Sequence, residues 1–375
     1  MNYLYENQNI PKDLESYIKT NKSIHPYFEM NFDGIKPKNR CGFLSIENKN
    51  YFIVPKISSK EDDNLNIFIY MILYSYDIKI SNEDLASFDN TKYKYLEIFI
   101  RYFTNTLLQE LKKGLYKTYI TKQENLKVLK GKYLFEKNFN NFYHMNIHCE
   151  FDEFSSNNDL NKFFLYCIKT FKRYSSYSNI HKCEAVFDEV EYNHVDINRL
   201  NIKFDRLNLR FKKSFEIGLM ILKKLSPLVS NSNTKSFAFL FDMSEIFEKF
   251  IGNLYKDIDS TTSLQTEKNF GNLKLKPDIL TSRKIIDTKY KLVKNKEDLK
   301  TNDKYQMFTY GINFSIKETL LLYPKHIYDV NERLKLGKDD NLIKLEMKSI
   351  DLKSDKTKYD EYIEEIKNRL ENINA

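Results

Sequence analysis

The chain has 375 residues, of which 41% are apolar, 15% aromatic and 30% charged, with a formal net charge of +8. That apolar content excludes a disordered or fibrous polypeptide, and the length predicts two or three domains. The basic excess suits a polyanionic partner, although a lysine-rich composition without tryptophan accounts for part of it.

The opening MNYLYENQNI lacks a basic-then-apolar leader pattern, and the most apolar run, Ile67 to Tyr76, is too short to span a bilayer. A cytoplasmic protein without membrane contact is expected. Residues 41–57 alternate apolar and polar around Glu47-Asn48-Lys49-Asn50, which predicts a β-hairpin in a small β-rich unit over 1–60. Ile67, Tyr70, Met71, Tyr74 and Ile78 then fall at helical spacing, as do Leu96, Phe99, Ile100, Phe103, Leu107 and Leu111, with Gly114 as a C-cap. Tyr143 to Phe151 reads as a strand. Asp159 is placed to N-cap a helix to about Tyr174, and a further helix spans about Asp205 to Leu225, before Pro227. These elements predict a mostly helical region over 61–235, closed by the polar linker Ser230 to Thr234.

Residues 236–375 carry a different pattern. A helix over Asp242–Tyr255 is followed by strands at Leu273–Leu280 and Lys284–Tyr290, a helix at Lys304–Ile312, a strand at Glu318–Tyr323 and a terminal helix at Lys356–Ile373. The expected fold is multidomain α+β or α/β, its last domain a mixed sheet flanked by helices. Cys41, Cys149, Cys167 and Cys183 have no CxxC spacing and read as reduced, buried thiols. His148-Cys149 and His181-x-Cys183 fit no common zinc pattern.

The chemistry is concentrated near residue 280. Pro277-Asp278, eight residues, then Asp287-Thr288-Lys289 is the PD…D-x-K arrangement of metal-dependent nucleases. Phosphodiester cleavage needs a cation to neutralise developing charge and to help deliver hydroxide, and Mg²⁺ is served by a few carboxylates and waters. Asp287 and Lys289, two apart on a strand, share a face. Thr288 offers its backbone carbonyl as a further ligand, and Lys289 suits orientation of the attacking water or stabilisation of the transition state. Glu245 and Glu248 share a helical face, from which one completes the metal shell. Asp303, Gln306 and Tyr310 share another, and Gln306-x-x-x-Tyr310 resembles the additional motif of RecB-type nucleases. Arg283, Lys284, Lys291 and Lys294, with Lys296 and Lys300 beyond them, form a basic approach for DNA, to which Tyr310 is added. Each piece has a plainer reading: Glu245 and Glu248 as a solvated helix face, the lysines as ordinary surface.

Taken together these blocks resemble the McrC family, the nuclease subunits of McrBC-type modification-dependent restriction systems. Ser244 to Ile251 resembles the family's LFE-x-FV helix, and Lys276 to Ile279, Ile286 to Lys291 and Asp303 to Met307 resemble its nuclease blocks. Asn66 to Tyr74, the hairpin ending Val54-Pro-Lys-Ile57, Gly131-Lys132 and Cys149 to Ser155 extend the resemblance over most of the chain. Ser75 stands where the family often has alanine, and the Asn-rich Ser155 to Asn158 alters the usual spacing. The resemblance implies an endonuclease acting on modified double-stranded DNA with Mg²⁺, or Mn²⁺ in its place. It implies a McrB-like AAA+ GTPase ring as partner, which reads the modified base and whose hydrolysis this chain stimulates through residues 1–235. It assigns Asp278, Asp287 and Lys289 as the catalytic trio with Gln306 beside them, Glu248 as the helix acid and Glu245 as its reserve. No G-x-x-x-x-G-K-[ST] occurs in the chain, so nucleotide binding is expected only in the partner. Two other functions fit parts of the pattern: a non-catalytic activator of an AAA+ ring, and an autonomous RecB-type nuclease of another defence or repair system.

Overall fold

A computed structural model of the chain describes residues 2–374 apart from 7, 47–48, 56, 58–60, 80–93, 140, 142–144, 229–235, 327 and 357. The chain divides into two compact units, residues 1–86 with 224–375 and residues 87–223. The expected boundaries at 60 and 235 differ from these, and strand pairing is the reason. Ser236–Asp242 runs antiparallel to Arg40–Ile46 with Phe239 opposite Phe43, so the first and last expected domains share a sheet. The linker stretch 230–234 lies outside the described residues.

In the larger unit this sheet has the strand order Asn2–Tyr5, Lys49–Val54, Arg40–Ile46, Ser236–Asp242, Leu225–Leu228. The expected hairpin lies within it, although Glu47 and Asn48 of its turn are outside the described residues. Gly42 has φ +135°, and a Cβ there would stand 2.3 Å from the Phe239 carbonyl oxygen, so the close approach of the two strands requires glycine. Helix Glu61–Ser75 packs Phe68 against Phe52 and Phe241, with ring centroids 5.6 and 6.0 Å away, and Tyr74 against Phe250 at 5.5 Å. The expected helix near 67–78 therefore belongs to this unit rather than to the middle region.

A second sheet has six strands in the order Ser263–Leu264, Ile279–Leu280, Lys284–Thr288, Glu318–Pro324, Ile343–Ile350, Asn331–Leu336. Lys284–Thr288, Glu318–Pro324 and Ile343–Ile350 are parallel to one another, and the outer strands pair antiparallel. On one face Ile285, Leu321, Tyr323, Leu345 and Met347 pack against Met307 and Tyr310 of helix Thr301–Asn313. Gly311 sets that helix close, since a Cβ would come within 2.7 Å of the Ile343 side chain. The expected strand at 273–280 is two strands. Leu273–Leu275 pairs with Lys268–Phe270, whereas Ile279–Leu280 joins the sheet, and Pro277, which has no N–H to give a ladder, stands between them.

The smaller unit has helices Lys94–Leu111, Asp159–Phe171, Ser178–Val186 and Lys212–Lys224. Their core is aromatic: Phe103 meets Phe171 at 5.2 Å, and Phe163 meets Phe215 at 4.6 Å. Asn158, not Asp159, is the N-cap, accepting a hydrogen bond from the Asn161 N–H at 3.1 Å. The helix expected from Asp205 starts instead as a 3₁₀ turn at Leu209–Phe211, and Pro227 lies in the strand that follows it. The strand expected at Tyr143 is described from Ile147 to Ser155. It is the middle of a three-stranded sheet with Thr118–Leu126 and Lys132–Tyr133. All four cysteines are buried and free. Among the described residues no helix is long and apolar enough to cross a membrane.

Candidate active site

Strand alternation and register assemble the site in the larger unit. Ile279 pairs with Ile286, so the next step along the two antiparallel strands sets Asp278 beside Asp287. Asp287 is 1% exposed. Its Oδ2 is ion-paired to Lys289 Nζ at 2.5 Å, as expected for side chains two apart on one strand face. Thr288 gives Asp278 Oδ2 two hydrogen bonds, from its N–H at 2.8 Å and its hydroxyl at 3.0 Å. The Asp-Thr-Lys tripeptide thus fixes both carboxylates at once.

Helix Thr301–Asn313 supplies the bridge. Gln306 Nε2 donates to Asp287 Oδ1 at 3.1 Å, and Gln306 Oε1 accepts from Lys289 Nζ at 3.1 Å. One helical turn on, the Tyr310 hydroxyl accepts from Gln306 Nε2 at 3.1 Å and donates to the Lys276 carbonyl at 3.0 Å. The Q-x-x-x-Y spacing therefore ties the Asp287–Lys289 pair to the backbone just before Pro277-Asp278.

Helix Met243–Ile258 supplies the third acid. Asp242 caps it, its Oδ1 accepting from the Ser244 N–H at 2.9 Å. Its two candidate acids occupy different environments. Glu245 is gripped by Lys224 at 2.7 Å and Lys249 at 2.9 Å. Burial opposes its ionisation, but the two lysines outweigh this and hold its carboxyl at about 2. Burial, reinforced by Asp278 and Asp287, instead pushes Glu248 up to about 7. Burial likewise raises Asp278, against the hydrogen bonds from Thr288. Asp287 is raised to about 6 by burial and Asp278, against the pull of Lys289. Burial disfavours the Lys289 ammonium, yet Asp287 leaves its pKa above the ordinary value. A cleft of about 390 Å³ opens between Glu248 and Asp278, with Leu264 and Gln265 on its rim. A larger cleft of about 870 Å³ elsewhere in this unit gathers no comparable set, since its Asp257 is taken by Tyr74 and by Lys367 at 3.0 Å.

Among the described residues no three His, Cys, Asp or Glu side chains stand close enough to hold a metal ion. Asp278 and Asp287 are near enough to raise Glu248, and Asp278 to raise Asp287, but Lys289 is paired with Asp287 Oδ2 and Thr288 bonds Asp278 Oδ2. The donor set nevertheless fits a hard divalent cation. It consists of carboxylates whose charges repel: Asp278 raises Asp287, and both raise Glu248, so a cation between them relieves the repulsion.

The expected DNA contacts divide. Arg283 and Lys294 are exposed. Lys291 is paired with Asp303 at 3.0 Å. Lys284 is bonded to Glu346 at 3.0 Å and, three residues before Asp287, points to the opposite face of the sheet. Tyr310 is 6% exposed, so its hydroxyl serves the internal network instead of DNA. Another contact had no visible sequence signal: buried Glu6 accepts a 2.9 Å hydrogen bond from the hydroxyl of Tyr290, the residue after Lys289. Only the folded sheet brings positions 284 residues apart together.

Residues 35–324 match the family described as "McrBC 5-methylcytosine restriction system component". The chain belongs to the McrBC family. No curated protein sequence matches it. In structure it is similar to a chain of the half-complex from a tetradecameric assembly of Thermococcus gammatolerans McrB AAA+ hexamers with bound McrC. The TM-score there is 0.58 and the identity 19%, over 99% of each chain. A cryo-EM structure of the Thermococcus gammatolerans McrBC complex matches 68% of this chain and 86% of that one, at 23% identity and TM-score 0.47. The McrBC match spans strands of both sheets and includes Glu248, Asp278, Asp287, Lys289 and Gln306.

Proposed function

We propose that this chain is the Mg²⁺-dependent endonuclease subunit of its McrBC-type system, with a PD-(D/E)xK core in its larger unit. The observation that carries the reading is Asp278 set beside Asp287 by strand register, with Asp287 ion-paired to Lys289 and both members of that pair joined by Gln306. Asp278, Asp287 and Glu248, with the Thr288 carbonyl, are the groups to hold the metal. Glu245 is discounted because two lysines already satisfy it. A bound divalent cation supplies charge neutralisation at phosphorus and an acidified water. Lys289 presents an ammonium beside Asp287, suited to hold a water or a phosphate oxygen as negative charge grows. Gln306 fixes the spacing of that ammonium from the carboxylate. Arg283, Lys294, Lys296 and Lys300 are exposed cations available to the DNA backbone.

The substrate in this reading is modified duplex DNA, and the partner is a McrB-like AAA+ GTPase ring. The family match and the fold shared with a McrB–McrC assembly support it. The test is plasmid cleavage, methylated and unmethylated, with Mg²⁺, with and without GTP and the AAA+ protein, for wild type and Asp287→Ala. Cutting that needs the modification, GTP and the partner, and is lost in the variant, supports the proposal. Cutting by this chain alone shows an autonomous nuclease. Stimulated GTP hydrolysis with no cutting shows a non-catalytic activator.

A further inference from the structure

Gln265 is one of four non-glycine residues with positive φ among the described residues, at +50°. A long side chain gains nothing from that conformation, which glycine adopts freely and which costs other residues stability. Its position is unusual as well. Leu264 pairs with Ile279, and Ile279 pairs with Ile286. The next residue along each strand continues the row, so Gln265, Asp278 and Asp287 stand side by side at one level of the sheet. The Gln265 N–H closes that row, donating to the Asp278 carbonyl at 2.9 Å. Its side chain is exposed and lines the cleft that opens between Glu248 and Asp278.

Adjacent strands are roughly 5 Å apart, so the Gln265 backbone stands about 10 Å from that of Asp287, two strands away. A phosphate at Asp287 therefore leaves its neighbour on the same DNA strand within reach of a glutamine amide at position 265. The side chain is neutral and sits beside three acids, where a carboxylate would repel a phosphate.

We propose that Gln265 is a substrate-binding residue whose Nε2 donates to a non-bridging oxygen of the phosphate next to the scissile one. Gln265 takes a left-handed backbone where the strand pairing ends, and it lines the cleft. This rests on the nuclease reading above, and a phosphate contact of this kind positions DNA without reading its sequence.

The test uses the full chain as wild type, Gln265→Gly and Gln265→Asn. Thermal denaturation is measured first. Binding of a fluorescent duplex is then measured with Ca²⁺ in place of Mg²⁺, and plasmid cleavage with Mg²⁺, GTP and the AAA+ partner. Gln265→Gly should melt at or above the wild-type temperature, bind duplex about tenfold more weakly and cleave correspondingly less, as for loss of a hydrogen bond to a charged group. Gln265→Asn, which keeps a donor and tolerates positive φ, should recover part of the binding. Wild-type binding and cleavage by Gln265→Gly would overturn the proposal, as would a lower melting temperature, which would make the side chain a structural one. If wild type binds duplex but never cuts, the nuclease reading fails, while the binding difference still decides the contact. If it neither binds nor cuts, both fail.

Discussion

Glu248→Gln separates the stability of the site from its function. Glu248 is a half-buried acid pushed to about 7 by burial and by Asp278 and Asp287, against the weaker pull of Lys276 and Lys249. Below pH 4.5 the group is protonated folded and unfolded, so it contributes no difference. Between 4.5 and about 7 only the folded state keeps the proton, so stability falls as pH rises, and above 7 the full penalty applies. The displacement from 4.5 to about 7 corresponds to roughly 3 kcal/mol at about 1.36 kcal/mol per pH unit. Solvent screening of a half-buried side chain reduces that to about 1–2 kcal/mol. Glutamine has the same shape and nearly the same helix propensity, so the substitution removes mainly the charge. Without metal, Glu248→Gln should match wild type at pH 4.5 and melt about 2–8 °C higher at pH 8. With Mg²⁺ the order should narrow or reverse, because the metal offsets the repulsion only where three carboxylates remain. The assay is thermal denaturation across pH with EDTA or Mg²⁺. A variant less stable than wild type at pH 8 in EDTA, or equal Mg²⁺ stabilisation of both proteins, would refute the reasoning.

Glu245→Gln should behave oppositely. Its carboxyl is held at about 2 by Lys224 and Lys249, so its contribution is present above pH 4.5 and lost as pH falls through about 2. Because 40% of the side chain is exposed, its loss should cost no more than about 1 kcal/mol at pH 7 and leave cleavage within about threefold of wild type; a loss as deep as that of Asp287→Ala would move the metal acid to Glu245. Gln306→Leu deletes the bridge between Lys289, Asp287 and Tyr310, and should lower cleavage about 100-fold with duplex binding in Ca²⁺ unchanged; parallel losses in both would make it a binding residue. Tyr290→Phe leaves the buried Glu6 carboxylate short of a donor and should cost about 1–3 kcal/mol in urea denaturation, whereas a change below about 0.5 kcal/mol would mean that water takes the place of the hydroxyl.

Periodicity located the parallel strands at 284–288 and 318–324 and the helices around them because their apolar residues repeat with the period of the element they form. It missed Ile343–Ile350 and Asn331–Leu336, whose many charged residues lie on the partly exposed face of the sheet: Lys284, Arg333 and Lys348 all converge on Glu346. It also missed Ser236–Asp242. That strand is buried on nearly every residue, and its pairing to Arg40–Ile46 across almost 200 positions leaves no local mark. The same long-range pairing accounts for the difference in domain boundaries. A hairpin can be seen in a window of 17 residues, but which distant strand covers its edge cannot.

The candidate site was legible to the extent that its parts obey strand and helix geometry. Asp287 with Lys289, and Gln306 with Tyr310, could be paired from spacing alone, because residues two apart on a strand and four apart on a helix meet. Spacing could not choose between Glu245 and Glu248, which are three apart and both acidic. That choice depends on what faces each side chain: lysines at Glu245, aspartates at Glu248. Nor could spacing show that the Tyr310 hydroxyl meets the Lys276 carbonyl, since a tyrosine looks alike in sequence whatever its hydroxyl meets. Charge state in a cluster is a property of three-dimensional neighbours, and here they come from separate strands and helices: Lys224 lies before the helix that carries Glu245 and Glu248, and Asp278 and Asp287 lie beyond it.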